Sequence, residues 1–302
     1  MYHWLCQCEI DLDDALYGRA TATSLISLND MLTAISQICS LRAPFEDDLE
    51  GYAAAACPAV EIWLGKLDHY LAEHTILQVA QLLERHHLAA PVASYQGGLF
   101  AAEDRARAEH WRHFAARLVR CRDLGIGTLV VAADIEPPIT ADRLEQTVEG
   151  LRRAGDAGAE HGVRLALEFQ AGAALVNNLQ TAAALVDRVG SPWLGLCLDL
   201  FHFYHGPSKS EDLAYLSPSN AFHVQLCDVA GTIRELATDA DRVLPGDGDF
   251  RLDLVVDRLR SIGYQGCVSL EMMNPQIWSI PPLQVAEVGV TALRKTLGLA
   301  SM

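Results

Sequence analysis

Four polar residues stand near the ends of four successive apolar runs in the second half of the chain. They are Glu168 in VRLALEF, Asp199 in LGLCLDL, Gln225 in AFHVQL and Glu271 in CVSLEM. Three carboxylates that converge without a cation repel one another and raise one another's pKa. Few Lys or Arg residues lie near these positions in the sequence, so a bound dication is the economical counter-ion. An all-oxygen ligand set suits Mg2+ or Mn2+ better than Zn2+, and one such ion is predicted.

Taken singly, an acid at a strand end is as readily a helix cap or a partner in a rim ion pair. The four residues act together only if their strands lie side by side. From Met31 onwards, short β-rich runs alternate with longer amphipathic runs of helical spacing. The predicted strands are MLTAISQI, AVEIWL, AAPVAS, TLVVAA, VRLALEF, LGLCLDL, AFHVQL and CVSLEM. Several are nearly continuous apolar runs, which is typical of parallel strands covered on both faces.

Eight β units favour a single (β/α)8 TIM barrel over an open α/β sheet. A doubly wound sheet would carry a glycine-rich phosphate turn after its first strand, whereas this strand leads into ICSLRAPFEDD. The active site of a (β/α)8 barrel lies at the carboxyl ends of its strands, so the four polar residues would meet at one rim. Residues 1–30 are predicted to form an N-terminal extension of unclear structure, and residues 31–302 the catalytic barrel.

The connections between the strands are predicted to be mainly helical. The longest helical patterns cover 69–87, 102–124, 139–162 and 282–297. The connection after the seventh strand, DVAGTIRELATDADRVLPGDGDFRLD, is long and rich in Asp and Gly. Long connections at this end of a barrel carry function more often than short ones, so this segment is the predicted active-site loop.

Composition excludes several classes of partner. The formal net charge of −16 over 302 residues argues against a surface that binds nucleic acid or an anionic membrane. No apolar stretch reaches the roughly 18 residues of a membrane span. The eight cysteines are scattered without paired metal-ligand spacing, which favours reduced thiols and a cytoplasmic location. The expected partner is a small carbohydrate-like molecule, and the sequence is compatible with a homo-oligomer.

Several stretches resemble a known family in their order and spacing. They are VEIWLGKL, LALEF, LCLDLFHF, HVQLCD, LPGDGDF and VSLEMMN, and together they span almost the whole barrel. The chain is similar to the xylose isomerase-like barrel superfamily, also called the sugar phosphate isomerase/epimerase or AP endonuclease 2 family. The resemblance implies the metal ligands named above. It also implies that His202, in Asp-x-x-His, and Arg242, before PGDGDF, face the substrate.

The supporting residues have structural and functional interpretations. His202 could cap a helix, or it could contact substrate and transfer protons, because imidazole titrates near neutral pH. Arg242 could be a solvated loop residue, or it could lie on a loop folded over the site. Lys66, just after the second strand, is a weaker candidate for substrate binding. The predicted catalytic groups are therefore His202, Glu168 and Glu271.

Two positions depart from the family pattern. Many members have His where this chain has Gln225, and Gln here is similar to the 3-dehydroshikimate dehydratase branch. His223 lies two residues earlier on the same strand face, so it becomes the ligand if the strand register is different. Keto-sugar 3-epimerases of the superfamily carry a second Glu six residues after the first ligand. This chain has Ala174 there, which puts the two-glutamate epimerase mechanism in doubt.

A metal flanked by acids and a histidine suits enolisation of a hydroxylated ketone. Return of the proton elsewhere makes the enzyme a sugar isomerase or epimerase, which is the predicted class, whereas loss of a β-hydroxyl makes it a dehydratase, the alternative. A phosphorylated substrate is not favoured, because the loops after strands 7 and 8 are acidic or lack cations around the expected phosphate site. An endonuclease would need more His ligands and a basic face. A catalytically silent binding subunit is the remaining class.

Overall fold

The computed structural model describes residues 31–299, so the predicted extension at 1–30 and the last three residues lie outside it. Eight parallel strands close into a barrel in the order β1-β10-β7-β6-β5-β4-β3-β2. They are β1 Leu32–Ser36, β2 Ala59–Trp63, β3 Ala89–Gln96, β4 Thr128–Ala132, β5 Arg164–Glu168, β6 Leu194–Asp199, β7 Ala221–Leu226 and β10 Cys267–Leu270. The predicted (β/α)8 fold is confirmed.

The helices cover the outside of this barrel. They are α1 Phe45–Ala54, α2 Leu64–Tyr70, α3 Ile76–Arg85, α4 Asp104–Asp123, α5 Ala141–His161, α6 Leu179–Val189, α7 Leu200–His205, α8 Leu252–Ser261 and α9 Pro282–Leu297. The single helix predicted at 69–87 is wrong, because the chain there forms α2 and α3. Thr75 begins α3 with a capping box, in which Thr75 and Gln78 each bond the other's backbone N–H. In the part of the chain described, no helix has both the length and the apolar character needed to cross a membrane.

The inner face of the barrel changes character along the strands. Near the amino ends it is filled by small or apolar side chains that form their own buried cluster, including Ala34, Ala59, Ala166 and Cys197. Successive side chains of a strand point to opposite faces, so the next inward position lies two residues further along. At that position each of these strands carries a polar residue. The carboxyl end of the barrel therefore holds a buried polar layer above an apolar base.

The loop after β7 folds back towards the barrel mouth. Its two short strands, β8 Asp228–Val229 and β9 Arg242–Val243, pair antiparallel. The buried Asp228 carboxylate accepts hydrogen bonds from the backbone N–H groups of Gly246 at 3.1 Å and Phe250 at 2.9 Å. A Cβ at Gly248 would lie 2.3 Å from the Asp228 carboxylate, so this turn requires glycine there. Asp228 thus holds the PGDGDF turn and brings Arg242 over the carboxyl ends of the strands.

Candidate active site

A cavity of about 290 Å³ opens at the carboxyl ends of the strands. Its floor and walls combine predicted site residues with side chains from β2, β3 and β4. The lining includes Glu168, His202, Gln225, Arg242 and Glu271, together with Trp63, Tyr95, Gln96, Asp134, Gln170, Asp239 and Met273. The structure therefore brings five of the predicted site residues into one cavity.

Asp199 lies at the centre of the tightest cluster. Ligand atoms of Glu168, Asp199 and His202 all lie within 4.8 Å of one another, and the three side chains are buried. Asp199 ends β6 and also caps α7, because its Oδ1 accepts from the N–H of Phe201 at 2.6 Å. Its Oδ2 faces Arg242. Asp199 is thus both a helix cap and a site residue, because the cap fixes its carboxylate and places His202 beside it.

Glu271 and Gln225 lie next to this cluster on neighbouring strands. The Gln225 Nε2 donates to Glu271 Oε1 at 2.9 Å and to Glu61 Oε1 at 3.0 Å. The Gln225 Oε1 accepts from the thiol of Cys197 at 3.1 Å. In this arrangement Gln225 presents its amide nitrogen to Glu271, and binding a cation through Oε1 requires the amide to turn over. The role of Gln225 as a ligand stays a prediction.

A buried acid–histidine pair lies beneath the cavity, and sequence reasoning did not predict it. His223 Nε2 lies 2.8 Å from Glu61 Oε2 and 3.1 Å from Ser269 Oγ. Burial raises the pKa of Glu61, but His223 and the hydrogen bonds more than offset this and leave it below its usual value. The inward register of Glu61 on β2 and His223 on β7 was the available signal. His223 is engaged by Glu61 and does not line the acid cavity described above.

Arg242 supplies a buried positive charge to the acids. Its Nη1 donates to Asp199 Oδ2 at 2.9 Å and to Glu271 Oε2 at 3.1 Å, and the side chain is 1% exposed. The guanidinium also pairs with Asp239 and lies over the ring of Phe201. Few basic residues are expected beside the acids, and Arg242 is one of them; its burial agrees with the interpretation that it lies on a loop folded over the site and not in a solvated loop. The distance along the sequence hid this contact, which the folded β7 loop creates.

One guanidinium does not balance the three carboxylates. Burial raises the pKa of Glu168 well above its usual value, and Asp199 adds to this while Arg242 opposes it. Burial likewise raises the pKa of Glu271 despite Arg242. For Asp199, burial acts in the same direction but is outweighed, chiefly by Arg242 and His202, so its pKa is lowered. An additional cation would favour the ionised glutamates, and the cluster is suited to a divalent metal.

In this geometry His202 can act as a proton acceptor or as a metal ligand. Burial lowers its pKa, Asp199 opposes that shift, and a neutral ring results near pH 7. Its Nδ1 lies 3.5 Å from the N–H of Ala171, at the limit of a hydrogen bond, so this contact does not fix the tautomer. The ring is close enough to Glu168 and Asp199 to share a metal with them. A nitrogen ligand would extend the suitable ions from Mg2+ and Mn2+ to Zn2+.

Lys66 is not brought to the acid cluster. Its ammonium group pairs with the buried Asp48 and donates to the carbonyl of Ser40 at 2.7 Å. It lines a second, larger cavity that adjoins the acid cavity. Any substrate contact of Lys66 would therefore lie in the second cavity, whereas Arg242 would contact substrate in the acid cavity.

Comparison with known proteins identifies the family to which this barrel belongs. Residues 49–296 match the family described as xylose isomerase-like TIM barrel. The chain belongs to this family. The predicted resemblance is therefore confirmed, and with it the prediction of an enzyme, since relatives of this xylose isomerase-like barrel are isomerases, epimerases and dehydratases.

Individual relatives differ in reaction. An inosose isomerase of Bacillus velezensis is 29% identical over 221 residues, which cover 72% of this chain and 79% of that protein. A 3-dehydroshikimate dehydratase of Pseudomonas aeruginosa is 30% identical over 261 residues, covering 84% of this chain but 40% of the relative. The crystal structure of the IOLI protein with a zinc atom superposes with a TM-score of 0.84 at 24% identity, covering 90% of this chain and all of that one.

Proposed function

We propose that this xylose isomerase-like barrel is a divalent-metal-dependent enzyme that enolises a polyhydroxylated keto substrate. The observation that carries the proposal is the convergence of Glu168, Asp199, His202 and Glu271, with Gln225 beside them, around one small cavity. Glu168, Asp199, Gln225 and Glu271 are the proposed metal ligands. A divalent ion held there would polarise a carbonyl and a neighbouring hydroxyl of the substrate.

The chain's own groups would bind the substrate and move the proton. His202 is buried beside Asp199 and largely neutral near pH 7, so its free nitrogen can accept a proton next to a carbonyl. Glu168 and Glu271 are proposed to accept and return a proton at the carboxyl oxygen that does not bind the ion, because the ion keeps both groups ionised. Arg242 lines the cavity and is proposed to orient a substrate oxygen while it holds Asp199 and Glu271 in place.

Sugar isomerisation or epimerisation is the first proposed outcome. It is supported by the inosose isomerase relatives, because the region matched to this chain covers most of the length of each of them. The size of the acid cavity, about 290 Å³, lies near the lower end for ligand pockets and suits a single polyhydroxylated ring.

Dehydration is the second candidate. It is favoured by Gln225 on β7, by Ala174 in place of a second glutamate, and by the 3-dehydroshikimate dehydratase relatives. In both reactions the proton next to the carbonyl is removed first. They differ in whether a proton returns or a β-hydroxyl leaves.

Mn2+ or Mg2+ is the proposed ion, supported by the predominance of oxygen donors, and the zinc in the IOLI structure makes Zn2+ the ion to compare. The described cysteines are unpaired and buried, which supports a reducing cytoplasm as the proposed compartment.

The test of metal-dependent enolisation is an NMR screen in D2O of protein loaded with each ion against keto-sugars, inososes and 3-dehydroshikimate. Deuterium should enter next to the carbonyl of a substrate and stop after chelation. Full exchange by exhaustively chelated protein would contradict metal dependence.

A further inference from the structure

A cavity of about 890 Å³ adjoins the acid cavity at the carboxyl ends of β1, β2 and β10. The two cavities share three lining residues, Trp63, Tyr95 and Met273. The acid cavity alone has room for one small ring, whereas the larger one falls in the upper part of the range that accommodates drug-sized ligands. The combined space is therefore much larger than a free monosaccharide or cyclitol requires.

We propose that the larger cavity is a second subsite that binds an aromatic ring attached to the reacting keto ring. The substrate would then be an aryl-substituted keto-sugar or keto-cyclitol. This inference rests on the proposed function, because it places the reacting ring at the acid cluster. It adds the class of substituent that the enzyme selects.

The boundary between the two cavities is an aromatic pair. The rings of Trp63 and Tyr95 stack with their centroids 4.4 Å apart and their planes at 25°. Trp63 is buried, while Tyr95 is 58% exposed although one ring face is covered. An exposed ring fixed by stacking presents its free edge and face to a ligand at little cost in side-chain entropy.

The backbone at Tyr95 is held in an unfavourable conformation. Its φ of 79° lies in the left-handed region that bulky residues avoid, and the register between β3 and β4 shifts between Ala93 and Gln96. Arg117 fixes this segment by donating to the carbonyl of Tyr95 at 2.8 Å and to the side chain of Gln96 at 3.2 Å. Strain kept in place by specific contacts is concentrated at binding and catalytic sites, and here it sets the direction of the Tyr95 ring.

More stacked rings line the same cavity. Phe45 and Tyr70 stack at 5.0 Å, and Tyr70 and His74 at 3.9 Å with nearly parallel planes. The Tyr70 hydroxyl donates to Glu46 at 2.6 Å, which fixes its ring. Ile38 and Trp278 add to the apolar lining. Stacked ring faces of this kind are suited to a flat apolar group.

Lys66 provides a fixed polar group in this apolar surround. Its side chain is 9% exposed, and two donors are engaged by Asp48 and the carbonyl of Ser40. An ammonium group has three N–H donors, so among residues 31–299 one donor of Lys66 has no acceptor and can bond a hydroxyl or ether oxygen of the ligand. Asp48 balances the charge of Lys66, and the exposed Arg42, Glu46 and Glu73 line the same cavity, so its charged side chains carry no excess of positive charge. This balance favours a neutral ring over a phosphate or carboxylate.

The test compares two unreactive ligands on the full-length, metal-loaded protein. Isothermal titration measures the affinities for 4-nitrophenyl β-D-glucoside and methyl β-D-glucoside, which differ only in the aromatic group. The aryl glucoside should bind at least tenfold more tightly. Saturation-transfer NMR should show stronger contact at its aromatic protons than at its sugar protons. Equal affinities for the two glucosides would overturn the proposal.

Variants assign the preference to this cavity. Tyr95→Gly removes the ring at a backbone conformation that glycine adopts without strain, so the variant should fold. It should reduce the aryl preference at least fivefold, and Lys66→Met should reduce it less, whereas Tyr95→Phe should keep it. Tyr215→Ala, at an exposed tyrosine that lines neither cavity, is the matched control. An aryl preference that survives Tyr95→Gly unchanged would overturn the assignment.

A third ligand separates the aromatic group from a second sugar. Methyl β-cellobioside should bind no more tightly than methyl β-D-glucoside, and tighter binding than the aryl glucoside would overturn the aromatic assignment. Binding is measured with compounds that lack a ketone, so the outcome does not depend on turnover. Proton exchange on a free keto ring without any aryl preference would leave the proposed function intact and refute this inference alone.

Discussion

Replacing Arg242 with methionine tests the charge balance of the acid cluster directly. The change keeps an unbranched apolar stem but removes the guanidinium that lies 2.9 Å from Asp199 and 3.1 Å from Glu271. Both carboxylates are buried and would lose their shared partner. Removing one partner of a buried ion pair costs about 3–5 kcal/mol, since it leaves an uncompensated charge. At about 2 °C per kcal/mol for a chain of this length, Tm should fall by roughly 6–10 °C.

The measurement is thermal unfolding of chelated protein and of protein with saturating Mn2+. If Asp199 and Glu271 hold the ion, Mn2+ should replace the lost charge and recover at least half of the fall in Tm for Arg242→Met. Calorimetric titration should also show tighter Mn2+ binding to the variant, because a competing cation is gone. Asp239→Asn is the matched control, since it removes only the partner of Arg242 that is 44% exposed, and such pairs contribute about 0–1 kcal/mol.

Two results would refute this reasoning. An unchanged Tm in chelated Arg242→Met would mean that the guanidinium does not compensate the buried acids. A large fall in Tm that Mn2+ does not reduce would mean that Asp199 and Glu271 do not bind the ion, whatever their distance from Arg242.

Four further substitutions test the same structure. Gln225→Ala should weaken Mn2+ binding about tenfold or more in calorimetric titration, whereas His223→Ala should mainly lower stability; the reverse order would make His223 the ligand. His202→Ala should slow proton exchange roughly 10²–10⁴-fold with little change in Mn2+ affinity, and an equal loss of affinity would instead make it a ligand. Burial raises the pKa of Asp48 from 3.8 to about 7. Its stabilising contribution is therefore full below pH ~4 and lost as pH rises through 7. Asp48→Asn should remove this pH dependence, up to about 4 kcal/mol, from the free energy of unfolding. An unchanged pH dependence would show that Asp48 does not titrate in this range.

The strands could be predicted because runs of apolar residues in the sequence indicate buried strands directly. Runs such as TLVVA in β4 are largely apolar, and four of its five residues are buried. The end of β3 could not be predicted in the same way. The strand continues from AAPVAS through Tyr95 to Gln96, where an exposed tyrosine and a positive φ interrupt the apolar pattern. Irregular backbone of this kind depends on contacts from Arg117, far along the chain.

Helical periodicity in the sequence predicts the helices, whereas the capping residues that end them are seen in the structure. The predicted helix at 282–297 agrees with the bounds of α9, Pro282–Leu297, in which proline occupies the first position and Gly298 ends the helix in the left-handed conformation. The pattern over 69–87 was read as one helix. The Thr75 and Gln78 pair, spaced as a capping box, was the signal for a second start.

Charge was the hardest property to read from the sequence. The convergence of the acids followed from their places at strand ends, because a barrel brings these ends together. The position of Arg242 depended on the loop that Asp228 organises by accepting backbone hydrogen bonds. No residue spacing along the chain encodes the distance between Arg242 and Glu271. The separation of Lys66 from the acids likewise depended on the buried Asp48.

The polar layer below the cavity gives a physical reason for the position of Gln225. An ionisable pair such as Glu61 and His223 is expensive inside a barrel that aliphatic side chains could fill. Glu61 uses its second oxygen to accept from Gln225 at 3.0 Å, and Gln225 in turn donates to Glu271 at 2.9 Å. Removing Glu61 would take away one of the two acceptors of the Gln225 amide nitrogen. The buried pair therefore helps to hold the Gln225 side chain beside Glu271, in the orientation from which the amide must turn over to bind an ion through Oε1.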